Sequence, residues 1–140
     1  MEYGLADTGV WYGIFDSRDD RYNEAQSKVE FFDFFRIVIP WPTVYETLRT
    51  RFVRNQVALQ QFEIFLKTHN DIIFLNDDIY RNDAFDLAIE SSLRRGRPLS
   101  MVDCLLRLII DDPNTEINYF LTFNRPDFID LCKKNRIEIL

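Results

Sequence analysis

Histidine, cysteine and glycine are scarce in this 140-residue sequence, with one, two and four residues respectively. A single histidine excludes a mechanism that needs two, and the ligand spacings of a zinc site are missing. His69 stands at the end of a helical pattern and is predicted to close that helix. Cys104 and Cys132 lie far apart without CxxC spacing, so buried free thiols are expected. No Gly-x-Ser-x-Gly, Walker A or GxGxxG motif occurs.

Long apolar runs and a basic leader are also missing. The longest apolar run falls far short of the ~20 residues that a membrane span needs. Residues 1–4 (Met-Glu-Tyr-Gly) lack the basic and apolar regions that open a signal peptide. We therefore expect a cytoplasmic protein that does not associate with a membrane.

Acids outnumber bases, and the formal net charge is −6. The chain as a whole does not attract nucleic acid, so any binding of it needs a local basic patch. Thirteen of the 17 basic residues are arginine, whose planar fork suits phosphate and carboxylate contacts. With 46% hydrophobic residues, residues 1–140 are predicted to form one globular domain.

Five short segments rich in β-branched or aromatic residues are typical of strands. They are residues 3–6, 36–39, 71–75, 117–123 and 136–140. Helical spacing of apolar residues falls between them, at residues 25–32, 58–66 and 102–109, and a further helix runs from near Asp77 to a stop at Gly96 and Pro98. This alternation predicts an α/β fold with a mostly parallel sheet and helices on both of its faces.

Acidic residues follow the predicted strands. Asp7 ends the first strand, and Glu46 lies in the first turn of the helix after the second strand. Asp103 lies in the first turn of the last long helix, and Asn124 and Asp127 follow the fourth strand. Ligands of parallel sheets bind beyond the carboxyl ends of the strands. These five residues are therefore predicted to face one crevice.

Helix capping is the alternative role for these positions, and each of them taken alone fits it. Residues 43–46 and, more loosely, 100–103 have the capping-box pattern, and Asp7 and Asn124 are good N-cap residues. Acids in a first helical turn also interact favourably with the helix dipole, by ~0.3–1 kcal/mol each. Residues 76–78, which also follow a strand, are assigned to capping alone.

Three or four carboxylates in one crevice repel one another, which raises their pKa values. A divalent cation removes this penalty, and ligands that are all oxygen suit Mg²⁺ or Mn²⁺. Mg²⁺ keeps several waters, and the pKa of one of them can fall far enough for it to attack a phosphodiester. The five residues are therefore candidates for a metal-dependent phosphodiester-cleaving site.

Several segments, taken in order, resemble the PIN-domain family, and specifically its small VapC-like toxin nucleases. Residues 6–11 (Ala-Asp-Thr-Gly-Val-Trp) resemble the opening motif, and residues 19–25 resemble the stretch that follows it. Residues 44–46 and 99–103 resemble the second and third acidic positions. Residues 121–128 (Leu-Thr-Phe-Asn-Arg-Pro-Asp-Phe) are similar to the closing Thr-x-Asn/Asp-x-x-Asp-Phe segment.

The resemblance implies a three-layer α/β/α fold whose five-stranded sheet has the order three, two, one, four, five. It implies a Mg²⁺- or Mn²⁺-dependent endoribonuclease in which Asp7, Glu46, Asp103 and Asp127 hold the metal and Asn124 completes the catalytic set. Many members are toxins of type II toxin–antitoxin pairs that a small antitoxin holds inactive, and many are homodimers. RNA as substrate, a small antitoxin and a second copy of the chain are therefore the expected partners.

The sequence departs from the family pattern at two places. Asn124 stands where an aspartate is usual, although its carbonyl oxygen can still bind metal or orient a water. The bulky Leu105, Leu106 and Arg107 stand where small residues are usual, so looser packing or a shifted helix is expected there. The change at Asn124 leaves a second hypothesis open, a non-catalytic PIN-like module that binds RNA or a protein. A structure-specific DNA nuclease is a third.

Contacts with a nucleic-acid substrate have their own candidates. Arg94, Arg95, Arg97 and Arg125 are candidates for phosphate contacts, with a solvated charged loop as the alternative for residues 94–97. Trp11 and Tyr12 are candidates for stacking on bases. Packing in the core or in a dimer is the alternative for Trp11.

Overall fold

The computed structural model describes residues 1–69 and 71–140 and contains one sheet of five strands, all parallel. The strands are β1 (Glu2–Ala6), β2 (Phe35–Pro40), β3 (Ile72–Leu75), β4 (Tyr119–Leu121) and β5 (Glu138–Ile139). Their spatial order is β3-β2-β1-β4-β5, which confirms the predicted topology. The strand order reverses between β1 and β4, and this is where α/β sheets bind their ligands.

Helices connect these strands. In the described residues they are α1 (Thr8–Phe15), α2 (Tyr22–Gln26), α3 (Trp41–Thr47), α4 (Thr50–Val53), α5 (Gln56–Thr68), α6 (Arg81–Leu93), α7 (Met101–Asp111), α8 (Ile129–Lys134) and two 3-10 helices, Val29–Asp33 and Arg125–Asp127. The helices predicted around residues 58–66 and 102–109 are confirmed as α5 and α7. His69 is the C-cap of α5, as predicted.

Two local predictions differ from the structure. The pattern at residues 25–32 does not form one helix, because the Ser27 hydroxyl donates to the Glu24 carbonyl and α2 ends at Gln26. Helix α6 begins at Arg81 and not near Asp77, and its N-cap residue makes no side-chain cap. The capping role assigned to residues 76–78 is therefore wrong: the Asp77 side chain pairs with Arg81 instead.

The strands alternate their side chains between two separate cores, one on each face of the sheet. Leu5, Val38 and Phe120 belong to the core that α6, α7 and α8 cover. Their sequence neighbours Ala6, Ile39 and Leu121 belong to the opposite core, which α1 and α5 cover. This is the three-layer α/β/α arrangement expected from the sequence.

Helix α7 is seated firmly in the first of these cores. Leu105 and Leu106 are buried, as are Ile109 and Ile110 further along the same helix. The bulky residues therefore fill the core, and α7 does not stand away from the sheet. Cys104 and Cys132 are buried free thiols, as predicted. In residues 1–69 and 71–140, no helix is both long enough and apolar enough to cross a membrane.

Candidate active site

Asp7 lies immediately after β1 and is held from two directions. Its Oδ1 accepts a 2.7 Å hydrogen bond from the backbone N–H of Thr8, so Asp7 is the N-cap of α1. Its Oδ2 accepts a 3.0 Å hydrogen bond from the hydroxyl of Thr122, just past the end of β4. The capping role of Asp7 is thus real, but only one of its oxygens performs it. The other is fixed by the neighbouring strand.

The segment after β4 continues this hydrogen-bond chain. The Thr122 hydroxyl oxygen accepts from the backbone N–H of Asn124 at 2.9 Å. The Asn124 amide then donates to Oδ2 of Asp127 at 2.6 Å. Asn124 starts the 3-10 helix Arg125–Asp127, but its side chain makes no backbone cap there. The asparagine therefore orients the Asp127 carboxylate.

Glu46 and Asp103 reach the same region from two other elements. Asp103 lies in the first turn of α7, where its N–H donates to the Ser100 hydroxyl at 3.0 Å, as the capping pattern predicts. Glu46 was predicted in a first helical turn, and that is wrong. Helix α3 starts at Trp41, directly after Pro40, so Glu46 lies in its last turn. The helix begins early because Pro42 fits a first turn, where its missing N–H costs nothing.

Asp7 and Asp103 both have raised pKa values. Burial raises the pKa of Asp7 to about 6; the charges of Asp103 and Glu46 add to this, against the opposing hydrogen bonds from Thr122 and Thr8. Burial also raises the pKa of Asp103, to which the charges of Asp127 and Glu46 contribute. The charges of Asp103 and Glu46 thus act on Asp7, and that of Asp127 acts on Asp103. The shared crevice of these residues stays a prediction.

The candidate carboxylates supply only oxygen donors, the ligand type that Mg²⁺ and Mn²⁺ prefer. Within residues 1–69 and 71–140, no group of three or more histidine, cysteine or acidic side chains is placed so that it could hold a metal ion. Mg²⁺ does not need a group of three, since it is usually held by one or two carboxylates and keeps several waters. A crevice of mutually repelling carboxylates matches this mode of binding better than a zinc site.

Arg107 is a site residue that the sequence interpretation missed. One of its guanidinium nitrogens donates to the carbonyl oxygen of Asp127 at 2.6 Å, and both terminal nitrogens bind the Asp130 carboxylate at 2.8 Å. This pairing holds the pKa of Asp130 down, to about 2. Arg107 lies one helical turn after Asp103, and that spacing is a signal that both side chains face the same side of α7.

The arginines proposed for phosphate contacts are partly engaged within the protein. Arg95 pairs with Glu90 at 3.3 Å. Arg97 donates to the carbonyl oxygens of Pro126 and Asp127, at 3.4 and 3.2 Å. Arg97 therefore helps Arg107 to hold the turn that carries Asp127. Arg94 and Arg125 are exposed, and their role stays a prediction.

The two aromatic candidates for base stacking, Trp11 and Tyr12, lie in different environments. Trp11 is 0% exposed and stacks on Phe32 at 5.5 Å between ring centroids, so it cannot contact a base. The alternative role in the core is confirmed. Tyr12 is half-buried, and its hydroxyl donates to the backbone carbonyl of Glu46. Arg49 lies over the Tyr12 ring, 4.5 Å from its centroid. Tyr12 thus anchors the end of α3 that carries Glu46.

Neither the comparison with protein-family models nor that with curated proteins gives a match for this sequence. The resemblance to PIN domains stays a prediction that depends on the motif residues. What the structure adds is the sheet order and the hydrogen bonds that join Thr122 to Asp7 and Asn124 to Asp127.

Proposed function

We propose that the protein is a Mg²⁺- or Mn²⁺-dependent endoribonuclease of the PIN type that hydrolyses RNA. One observation carries the proposal. Asp7, at the switch point of the sheet, has a pKa raised to about 6 by burial and by the neighbouring Asp103 and Glu46. A buried carboxylate whose ionised form is destabilised in this way is stabilised by a bound cation, and pKa shifts of this kind are common at functional sites.

In this proposal, Asp7, Glu46, Asp103 and Asp127 hold the cation. The bound ion neutralises charge on the phosphate and lowers the pKa of the attacking water. Thr122 fixes one oxygen of Asp7, and Asn124 fixes one oxygen of Asp127. These hydrogen bonds orient the carboxylates before substrate arrives, so less reorganisation is needed during the reaction.

The experiment is cleavage of end-labelled RNA with Mg²⁺, with Mn²⁺ and with EDTA, using the wild type and Asp7→Asn. Asp86→Asn is the matched control, because Asp86 is an exposed acid on α6. Cleavage that needs metal, fails in Asp7→Asn and persists in Asp86→Asn supports the proposal. A water nucleophile leaves 5′-phosphate and 3′-hydroxyl ends, so cyclic 2′,3′-phosphate ends contradict it. A single-stranded DNA of the same sequence tests the DNA nuclease alternative.

We further propose that the protein is the toxin of a type II toxin–antitoxin pair and forms a homodimer. The PIN resemblance is the support for this step. An arginine of the antitoxin entering the acidic crevice would compete with the cation by charge. The test is genomic and biochemical: a short reading frame beside this gene, whose product co-purifies with the protein and suppresses its cleavage of RNA.

A non-catalytic PIN-like module is the second candidate function. Asn124 in place of an acid favours it, as does the lack, in the described part of the chain, of three or more side chains grouped to hold a metal ion. Such a module binds RNA or a protein partner without turnover. A folded protein that binds RNA equally well with Mg²⁺ and with EDTA, and cleaves under neither condition, supports this candidate.

A further inference from the structure

Three exposed aromatic side chains lie together beside the candidate active site. We call Trp41, Tyr45 and Phe74 the aromatic surface; they are 43%, 75% and 40% exposed. Trp41 and Phe74 stack with centroids 4.8 Å apart and ring planes 20° from parallel. Tyr45 lies one helical turn after Trp41 on α3, and residues four apart share a helix face. Each of the three therefore presents ring area to solvent.

The sheet places this surface at the edge where the acids lie. Trp41 follows β2 directly, and Phe74 pairs in register with Ile39 near the carboxyl end of that strand. Asp7 follows β1, which is the neighbour of β2 on the other side. Neighbouring strands are ~4.8 Å apart, and Asp7 and Trp41 follow the carboxyl ends of two adjacent strands. Tyr45 also precedes Glu46 in the chain.

A group of arginines follows α3, the helix that carries Trp41 and Tyr45. Residues 49–54, which we call the arginine segment, contain Arg49, Arg51 and Arg54, and all three are exposed. In the part of the chain that the structure describes, none of the three forms a salt bridge, although the net charge is −6. Arg49 packs on the Tyr12 ring, and the Tyr12 hydroxyl binds the Glu46 carbonyl. Arg49 is therefore close to the end of α3 that carries Glu46, and Arg49 and Arg51 line a small pocket together with Asp16 and Asp19.

We propose that the aromatic surface and the arginine segment together bind single-stranded RNA. Unpaired bases stack on Trp41 and Tyr45, and the phosphates between them contact Arg49 and Arg51. Stacking on aromatic rings beside cationic side chains is how proteins bind single strands of varied sequence. Paired bases are already stacked within a duplex and do not offer their faces. This inference rests on the proposed function, because it assigns to that same site the surface that would hold its RNA strand.

The experiment titrates the protein with a ten-nucleotide oligouridylate in EDTA, so that no cleavage occurs. The sequence has two tryptophans, and Trp11 is fully buried. Quenching of tryptophan fluorescence therefore reports on Trp41. We expect saturable quenching by the oligouridylate and none by a duplex RNA of the same length.

Variants are compared by anisotropy of the fluorescein-labelled oligouridylate. Trp41→Ala and Tyr45→Ala are each expected to weaken binding about 5- to 100-fold, as removal of a stacking partner does. Phe85→Ala is the matched control, because Phe85 is a comparably exposed aromatic on α6, and it should bind like the wild type. Arg51→Gln should lower the slope of log affinity against log salt by about 0.7, the value for one phosphate contact.

Unchanged affinity in both Trp41→Ala and Tyr45→Ala, with each variant folded by circular dichroism, overturns the proposal. Duplex RNA that binds as tightly as the single strand also overturns it. So does a Trp41-dependent dimer in sedimentation that excludes RNA, because the surface then binds a second copy of the chain. The proposed function is read separately: Trp41-dependent binding without metal-dependent cleavage refutes the nuclease and keeps the RNA surface. If RNA is cleaved in a metal-dependent way and neither Trp41→Ala nor Tyr45→Ala weakens binding, the nuclease is kept and the RNA surface is refuted.

Discussion

The hydroxyl of Thr122 donates a 3.0 Å hydrogen bond to Oδ2 of Asp7, joining two residues that are 115 positions apart. This bond lowers the pKa of Asp7 against the opposing effect of burial. Thr122→Val removes the donor and keeps the shape, so the pKa of Asp7 should rise above about 6. We expect the acid limb of the cleavage pH profile to move to higher pH, so that cleavage falls more at pH 5 than at pH 8. Thr122→Ser keeps the hydroxyl and should restore both; a Ser variant as impaired as Val contradicts this assignment.

The raised pKa of Asp7 predicts how stability depends on pH in the absence of metal. An unfolded aspartate ionises near 3.8, whereas Asp7 in the folded protein holds its proton until about pH 6. The folded state therefore binds more protons between these values, and the free energy of unfolding falls as pH rises from about 4 to 6. Asp7→Asn should lack this fall and be more stable than wild type at pH 7 by up to about 3 kcal/mol. Urea titrations in EDTA at pH 4 and 7 measure it, and equal differences at both pH values contradict it.

Metal binding should offset the loss of folding stability that ionised Asp7 causes. A ligand that binds only the folded state stabilises it by RT ln(1 + [L]/Kd), about 2.7 kcal/mol at 100 times Kd. Mg²⁺ at pH 7 should therefore raise the melting temperature of the wild type and leave that of Asp7→Asn unchanged. NaCl at the same ionic strength is the control for screening. Equal shifts in the two proteins would show that the cation acts elsewhere.

Arg107 joins α7 to the turn that carries Asp127. Its side chain is 17% exposed, and that of Asp130 is 50% exposed. Because half of the Asp130 side chain is in water, we expect Arg107→Met to reduce the free energy of unfolding by only about 1 kcal/mol. The effect on cleavage should be larger, about tenfold or more, because a small displacement of a catalytic group is costly.

Lys134→Met is the control for Arg107→Met. Lys134 pairs with Asp111 at 3.0 Å, but its side chain is exposed and contacts no residue of the candidate site. Its loss should change neither stability nor cleavage measurably. If Arg107→Met loses stability and keeps full cleavage, Arg107 has only a structural role.

Replacing Gly4 and Gly9 by alanine should have opposite effects on stability. A Cβ at Gly4, in β1, would overlap the ring of buried Phe35, so Gly4→Ala should be destabilised by at least 2 kcal/mol. A Cβ at Gly9, in α1, meets nothing within 4 Å. Gly9→Ala should therefore stabilise the protein by about 0.5–1 kcal/mol, through helix propensity. Chemical denaturation of both variants checks the pair, and a loss at Gly9 would contradict the packing described here.

The sequence predicts the sheet well because its strands are short, apolar and separated by helical patterns. All five strands lie where expected. Their bounds differ from the prediction where side chains take the place of backbone hydrogen-bond partners. The fourth strand was predicted over residues 117–123 and spans only Tyr119–Leu121. Before it, the Asn118 side chain accepts a hydrogen bond from the backbone N–H of Tyr3. Strand propensity does not indicate where a side chain takes the place of a backbone hydrogen-bond partner.

The acids of the candidate site could be predicted from the sequence, whereas the residues that position them could not. Carboxylates after strands are visible in the sequence, and the charges of Glu46, Asp103 and Asp127 act on the pKa of Asp7 or of Asp103. Thr122 and Arg107 depend on contacts across many residues, which no local pattern contains. The exposure of Trp41 and the burial of Trp11 depend on which helix face meets the sheet. The sequence interpretation named Trp11 and not Trp41 as a candidate base contact, and that is wrong because Trp11 is fully buried.

The pairing of β1 with β4 has a consequence for the order of folding. These central strands are joined only after most of the chain has been made, and contacts between distant segments form slowly. A nascent chain that ends before β4 holds Asp7 without Thr122, Asn124 or Asp127. Any cleavage activity of this crevice is therefore absent during most of synthesis and arises late, when β4 inserts beside the first strand.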